Sequence, residues 1–433
     1  MRLSHADGTT VHLAYCTNVH PAEDVDGVVG QLARFAEPVR RRLGVDLLGV
    51  GLWLARDTAA GLARDGAARR RLRAELQARG LEVVTVNAFP YRGFHAPVVG
   101  HAVYAPDWTE RSRLDYTTDV AEVLADLLPD EARGSISTLP LGWGSGWTPA
   151  RGDAARRHLA ELAEHLERLE ATTGRVIRVG LEPEPGCVAE TINDAVVHLA
   201  SVDTDRIGVC LDICHLAVAF EDPATALARL EAAGLPIVKA QASCALHVAD
   251  PADPASRTRL ERFVEPRFLH QTRVSPPGGD DGGGGGGAGV AVGVDDLAEA
   301  LHGPRALRTD APWRVHFHLP LHARPPAPLA STSPVLVDTL TRLFGDSSAR
   351  TDHLEVETYT WDVLPAGQRP TDDAGLVAGI AAELDWARRH LTAVGLSAVA
   401  PGSVAPGSAA PGGAGQAGLG QAGLAAPATS VRS

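Results

Sequence analysis

Arg178-Val179-Gly180-Leu181-Glu182-Pro183-Glu184 and Gly208-Val209-Cys210-Leu211-Asp212-Ile213-Cys214-His215 decide the fold. Each is a short apolar, β-branched run that ends in a carboxylate. A strand shows alternate residues to opposite faces. Val179 and Leu181 therefore share a face that meets covering helices, and Gly180 and Glu182 share the other. Val209 and Leu211 likewise face out and Asp212 faces in, with His215 one turn later. The pattern recurs twice more. Val238-Lys239-Ala240-Gln241-Ala242-Ser243 turns Lys239, Gln241 and Ser243 inward, and His353-Leu354-Glu355-Val356-Glu357 turns both glutamates inward. Polar groups at the carboxyl ends of successive strands are the pattern of a (β/α)8 barrel, which builds its site there.

Working outward, strand-like runs also lie at 10–17, 45–54, 81–88, 134–139 and 313–319. Helical patterns at 23–43, 57–79, 115–128, 148–173, 222–233, 331–344 and 371–391 separate most of them. The alternation predicts an α/β protein: a (β/α)8 TIM barrel over residues 1–395. Nine strand candidates compete for eight places. A long insertion after the seventh strand, at about 244–328, resolves this, with the strand at 313–319 belonging partly to it. A doubly wound open sheet is the alternative, but no glycine-rich turn follows the first strand. Residues 275–290, with six consecutive glycines, and the Ala/Gly/Pro-rich tail 396–433 cannot bury a core and are expected to be disordered.

The chain has 433 residues and a formal net charge of −13, which disfavours nucleic acid and anionic membranes as partners. Its N-terminus has no apolar leader and it contains no run of 18 apolar residues, which points to a cytoplasmic protein with no membrane insertion. The five cysteines have no paired metal-binding spacing and read as buried, reduced thiols.

Four strand ends thus offer carboxylates, an imidazole and an amide to one cavity. Several carboxylates in a dry barrel repel unless a cation neutralises them. The donor set suits a divalent ion: Mn, Mg, Zn or Fe. Asn18 and His20 end the first strand, and Tyr91 and His95 follow the third, rimming the same mouth. His316 and His318 share one face of their strand, opposite Val315, Phe317 and Leu319, and are expected to line the cavity as neutral rings. With Glu355 these form a candidate substrate-binding set. Trp143, Trp147 and Trp361 are further wall candidates.

This order of motifs resembles the xylose-isomerase-like TIM-barrel superfamily of sugar isomerases, sugar epimerases, inosose dehydratases and endonuclease IV. The resemblance implies a metal held by Glu182, Asp212, His215 and Glu357 (or Glu355). The superfamily's third ligand, a histidine, falls on Gln241. Either Gln241 ligates through its carbonyl oxygen, or His247, His316 or His318 substitutes.

A closer resemblance rests on 12–21 (HLAYCTNVHP), 87–95 (NAFPYRGFH), 211–215 (LDICH), 268–271 (FLHQ), 316–320 (HFHLP) and 354–361 (LEVETYTW). These are similar to the EboE-type metabolite traffic proteins, linked to export of secondary-metabolite precursors. That resemblance implies a small-molecule metabolite as ligand and other proteins of the same transport cluster as partners. Two functions follow. One is metal-dependent isomerisation or epimerisation of a small polyhydroxylated metabolite, with Glu182 or Glu357 as general base and Lys239 or a histidine stabilising the enediolate. The other is a barrel that binds the metabolite in a transport assembly without turning it over. A phosphodiesterase is disfavoured by the net acidity.

Overall fold

Strand and helix alternate in the computed structural model as the apolar pattern requires, over the described residues 1–276, 291–304 and 306–399. The strands are β1 (Arg2–Ser4), β2 (Thr10–Cys16), β3 (Leu48–Trp53), β4 (Leu81–Asn87), β5 (Gly134–Thr138), β6 (Ile177–Leu181), β7 (Ile207–Asp212), β8 (Ile237–Ala242), β9 (Cys244–Val248), β10 (Thr272–Val274), β11 (Val292–Val294), β12 (Trp313–Leu319), β13 (Ala330–Ser331), β14 (His353–Val356) and β15 (Ser397–Ala398). Parallel pairing runs from β2 through β8 to β14, and β14 pairs back onto β2, closing an eight-stranded barrel. β1 and β15 add antiparallel to the edge beside β2, so pairing continues past residue 395. The stretches expected to be disordered fall largely outside the described residues, at 277–290 and 400–433.

Local chemistry sets the helix ends. Thr148 caps the helix Pro149–Thr173 by accepting the Arg151 amide at 3.3 Å, and Gly174 ends it at φ 70°. The helical pattern at 57–79 breaks in two, Arg56–Arg64 and Gly66–Ala78, because Asp65 leaves the helix and caps the second half. Outward residues Val179, Leu181, Val209 and Leu211 are buried under helices. All five cysteines are buried and free. Among the described residues no helix is long and apolar enough to cross a membrane.

The strand at 313–319 corrects the sequence reading. β12 belongs wholly to a second, antiparallel sheet of order β11-β10-β12-β9-β13, inserted between β8 and β14. Its apolar face explains this. Phe317 packs edge-on to Phe263 and stacks on His270, both within the insertion. The opposite face is left to deliver His316 and His318 to the barrel mouth.

Glu383, on the helix Asp373–Ala393, ties this insertion to the barrel. Its carboxylate accepts from Leu321 N (3.2 Å), Thr358 Oγ1 (2.6 Å) and Trp361 Nε1 (3.2 Å). Burial pushes its pKa up to about 7, against those three donors. The folded state therefore holds a proton that the unfolded chain has released, between the ordinary carboxyl pKa and about 7. Its contribution to stability is present at low pH and is lost as pH rises through that window, by about 3 kcal/mol in all. Glu383→Gln is expected to match the parent in urea unfolding near pH 5 and to be the more stable near pH 8. Parallel pH profiles of the two proteins would refute this.

Candidate functional site

Strand ends aim the carboxylates at one point. Glu182 follows β6, Asp212 ends β7 and Glu357 follows β14. One oxygen from each lies within 4.8 Å of the other two, and all three residues are buried. Glu357 Oε1 accepts from Asn18 Nδ2 (2.8 Å) and Asn87 Nδ2 (2.7 Å). Asp212 Oδ1 accepts the His215 amide at 2.9 Å, as N-cap of the helix Ile213–Val218. Glu182 Oε2, Asp212 Oδ2 and Asn18 Oδ1 are buried without a hydrogen-bond partner among the described residues. Burial raises the pKa of all three carboxyls, well above the usual range for Glu182 and Glu357; the neighbouring carboxylates push those two further. Glu184 joins the rim, accepting from Tyr104 Oη at 2.7 Å, and burial lifts it to about 8.

Three imidazoles complete the site. His215 Nδ1 donates to the Pro183 carbonyl (3.0 Å), His316 Nδ1 to Gln271 Oε1 (2.7 Å) and His318 Nδ1 to the Glu357 carbonyl (2.8 Å). Each of these partners is an acceptor, so the proton sits on Nδ1 and Nε2 carries a lone pair. The three Nε2 atoms face one another at 3.1, 3.0 and 3.4 Å. Protonation does not relieve the contact: burial lowers His215 to about 3 and His318 to about 4, and His316 falls well below its usual value. A cation does relieve it. Nitrogen ligands about 2.1 Å from one ion at tetrahedral or octahedral angles stand about 3.0–3.4 Å apart. Asp212, with an unpartnered oxygen, forms one close group with His215 and His318. The residues present therefore fit a divalent metal.

The structure separates the sequence candidates. Glu182, His215, His316, His318, Glu357 and Asn18 line one cavity, and Asp212 stands against it, close to Glu182 and Glu357 and to His215 and His318. Gln241 does not reach it: its Oε1 accepts from Cys210 Sγ at 2.8 Å, inside the barrel. His318, from β12, stands beside Asp212 and His215 instead. His247 lies away from the cluster on β9, opposite Arg314. Lys239 is spent below the site on Glu355, Nζ to Oε2 2.5 Å, so neither residue faces the cavity, and of the two last-strand glutamates only Glu357 joins the triad. His20 turns outward and stacks on Phe35. Tyr91 packs edge-on against Tyr116, in the helical layer. His95 sits behind the rim, bonded to the Asn18 carbonyl at 2.7 Å. Trp143, Trp147 and Trp361 do not line the cavity.

Asn87, Glu184 and Tyr359 are lining residues that sequence reasoning did not single out. Glu184 had a signal, since it shares the parity of Glu182. The cavity's volume is about 50 Å³. A water's share of the liquid is about 30 Å³, so a sugar enters only if the wall of Phe94 and Tyr359 moves.

A family model described as xylose isomerase-like TIM barrel matches residues 41–302. No curated protein matches the sequence. Among solved structures, a xylose isomerase-like TIM barrel protein from Mycobacterium smegmatis in complex with magnesium is similar at 14% identity. The match covers 90% of this chain and 99% of that one, with a TM-score of 0.48. D-psicose 3-epimerase from Clostridium cellulolyticum H10 is similar at 12% identity over 88% and 99%, with a TM-score of 0.47. An L-ribulose 3-epimerase is similar at 15% identity over 91% and 100%, with a TM-score of 0.45.

Proposed function

The chain belongs to the xylose isomerase-like TIM barrel family, and on that premise we propose that it is a metal-dependent isomerase or epimerase of a small polyhydroxylated metabolite. The convergence of three unprotonated Nε2 atoms beside three carboxylates carries this reading. His215, His316 and His318, with Asp212, would hold the metal. Imidazole with one carboxylate favours Zn or Fe over Mg. When bound, the ion supplies Lewis acidity toward adjacent carbonyl and hydroxyl oxygens.

The remaining residues move protons. Glu357, whose Oε1 is fixed by two amide donors and which a bound cation would hold ionised against the upward pull of burial, takes the proton from carbon next to the carbonyl. Glu182, whose burial and carboxylate neighbours favour its neutral form, returns a proton to that carbon or the next. Asn18 and Asn87 fix Glu357, and the aromatic wall excludes water. The resemblance to the EboE-type proteins adds a place for this chemistry: cytoplasmic handling of a secondary-metabolite precursor, beside the other proteins of a transport cluster.

The small cavity favours a second reading, a barrel that binds a metabolite without turnover. Elemental analysis of the purified protein, followed by incubation with a ketose panel in D2O, separates the two. The enzyme reading expects stoichiometric metal and deuterium at a carbon next to the carbonyl. It also expects exchange to fall by about 10²–10⁴-fold in Glu182→Gln and in Glu357→Gln. Metal-replete protein that binds a ketose without exchange would establish the second reading.

A further inference from the structure

A second cavity, of about 520 Å³, opens on the flank of the molecule and shares no lining residue with the first. It lies between the segment leaving β12, the start of the helix Ser333–Phe344 and the last turns of the helix Asp373–Ala393. Arg324, Arg389, His322 and His390 line it, together with Ser333 and Trp386, and no carboxylate does. In a chain of net charge −13 this is a local reversal of sign. Arg324 is exposed and has no ion-pair partner among the described residues. Arg389 pairs only with Asp385, at 3.2 Å and with its own side chain 68% exposed. Exposed pairs of this kind contribute little, so the guanidinium is free to turn to an incoming anion. Trp386 is half-buried and stacked on His390 at 3.6 Å, giving the cavity a rigid apolar wall. The volume is in the range of small-molecule sites, about 300–1,000 Å³.

We infer that this cavity binds a small phosphorylated metabolite, its phosphate on Arg324 and Arg389 and its carbon skeleton against Trp386. Two guanidinium groups match the charge and the paired oxygens of a phosphate dianion. The two imidazoles and the Ser333 hydroxyl supply further polar partners.

Calorimetric titration of the metal-loaded full chain with glucose 6-phosphate at low salt tests this, with glucose as the neutral control. Saturable binding of the phosphate ester alone is expected, weakened by about tenfold in Arg324→Gln and in Arg389→Gln, the loss of one charge-assisted contact. Asp212→Asn, at the barrel mouth, is expected to leave it unchanged. Both arginines are exposed, so their replacement leaves the fold intact, which circular dichroism checks. Absence of saturable binding, equal binding of glucose, or binding lost in Asp212→Asn and kept in both arginine variants would each overturn the inference.

Discussion

Replacing His316 and His318 together by alanine is expected to strip the protein of its metal, while Gln241→Met leaves the metal in place. Both histidines present Nε2 lone pairs to His215, at 3.1 and 3.4 Å, and their Nδ1 atoms are locked by Gln271 and the Glu357 carbonyl. Loss of an outer-shell partner alone typically weakens metal binding by about 10–100-fold. Loss of two direct ligands should cost at least about 100-fold, enough to empty the site during dialysis against a mild chelator. Gln241 has its oxygen turned to Cys210, so its replacement removes no ligand. A second readout guards against misfolding. Three mutually facing lone pairs destabilise the metal-stripped parent, so the double variant should unfold no earlier than that parent does. Added Zn should raise the melting temperature of the parent, by the equivalent of about 2.7 kcal/mol at a hundredfold excess over Kd, and leave the double variant unmoved. Metal retained by the double variant and lost from Gln241→Met would return the third ligand to the glutamine.

The barrel was legible because its evidence is local. Val179 with Leu181, and Val209 with Leu211, set the outward face by parity alone, and parity placed Glu182, Asp212 and Glu357 inside. His316 and His318 were legible as a pair for the same reason. What parity cannot give is depth along the barrel axis. Lys239 and Glu355 point inward as read, but they lie a layer below the mouth and satisfy each other. Gln241 points inward as well and is taken by Cys210 across the β7–β8 pair. Loop residues fail differently. His20 and Tyr91 follow strand ends, where no alternation constrains them, and apolar partners in the helical layer claim both. The path of β12 was half legible: its face pattern was right, but a strand's partner sheet depends on residues distant in sequence.

The depth of Lys239 yields the second large effect. Its ammonium and the Glu355 carboxylate are wholly buried, 2.5 Å apart, with Ser137 Oγ at 3.5 Å. A side chain at Gly51 would overlap Glu355 Oε1, so the backbone of β3 is shaped to admit this carboxylate. Burial alone would lower the lysine pKa, but Glu355 outweighs it and the net shift is upward. Lys239 therefore stays an ammonium throughout the physiological range. Lys239→Met leaves Glu355 buried with no counter-charge and is expected to cost about 3–5 kcal/mol. Lys239→Met with Glu355→Leu removes both charges and should recover most of that loss, because a buried pair is often replaceable by apolar groups of similar volume. The urea midpoints of the parent, both single variants and the double variant, taken on metal-free protein, complete the cycle. A large coupling energy makes the pair a strut beneath the metal centre. If instead Lys239→Met unfolds like the parent while deuterium exchange into a ketose collapses, the ammonium reaches the substrate. The enediolate-stabilising role expected from the sequence would then stand.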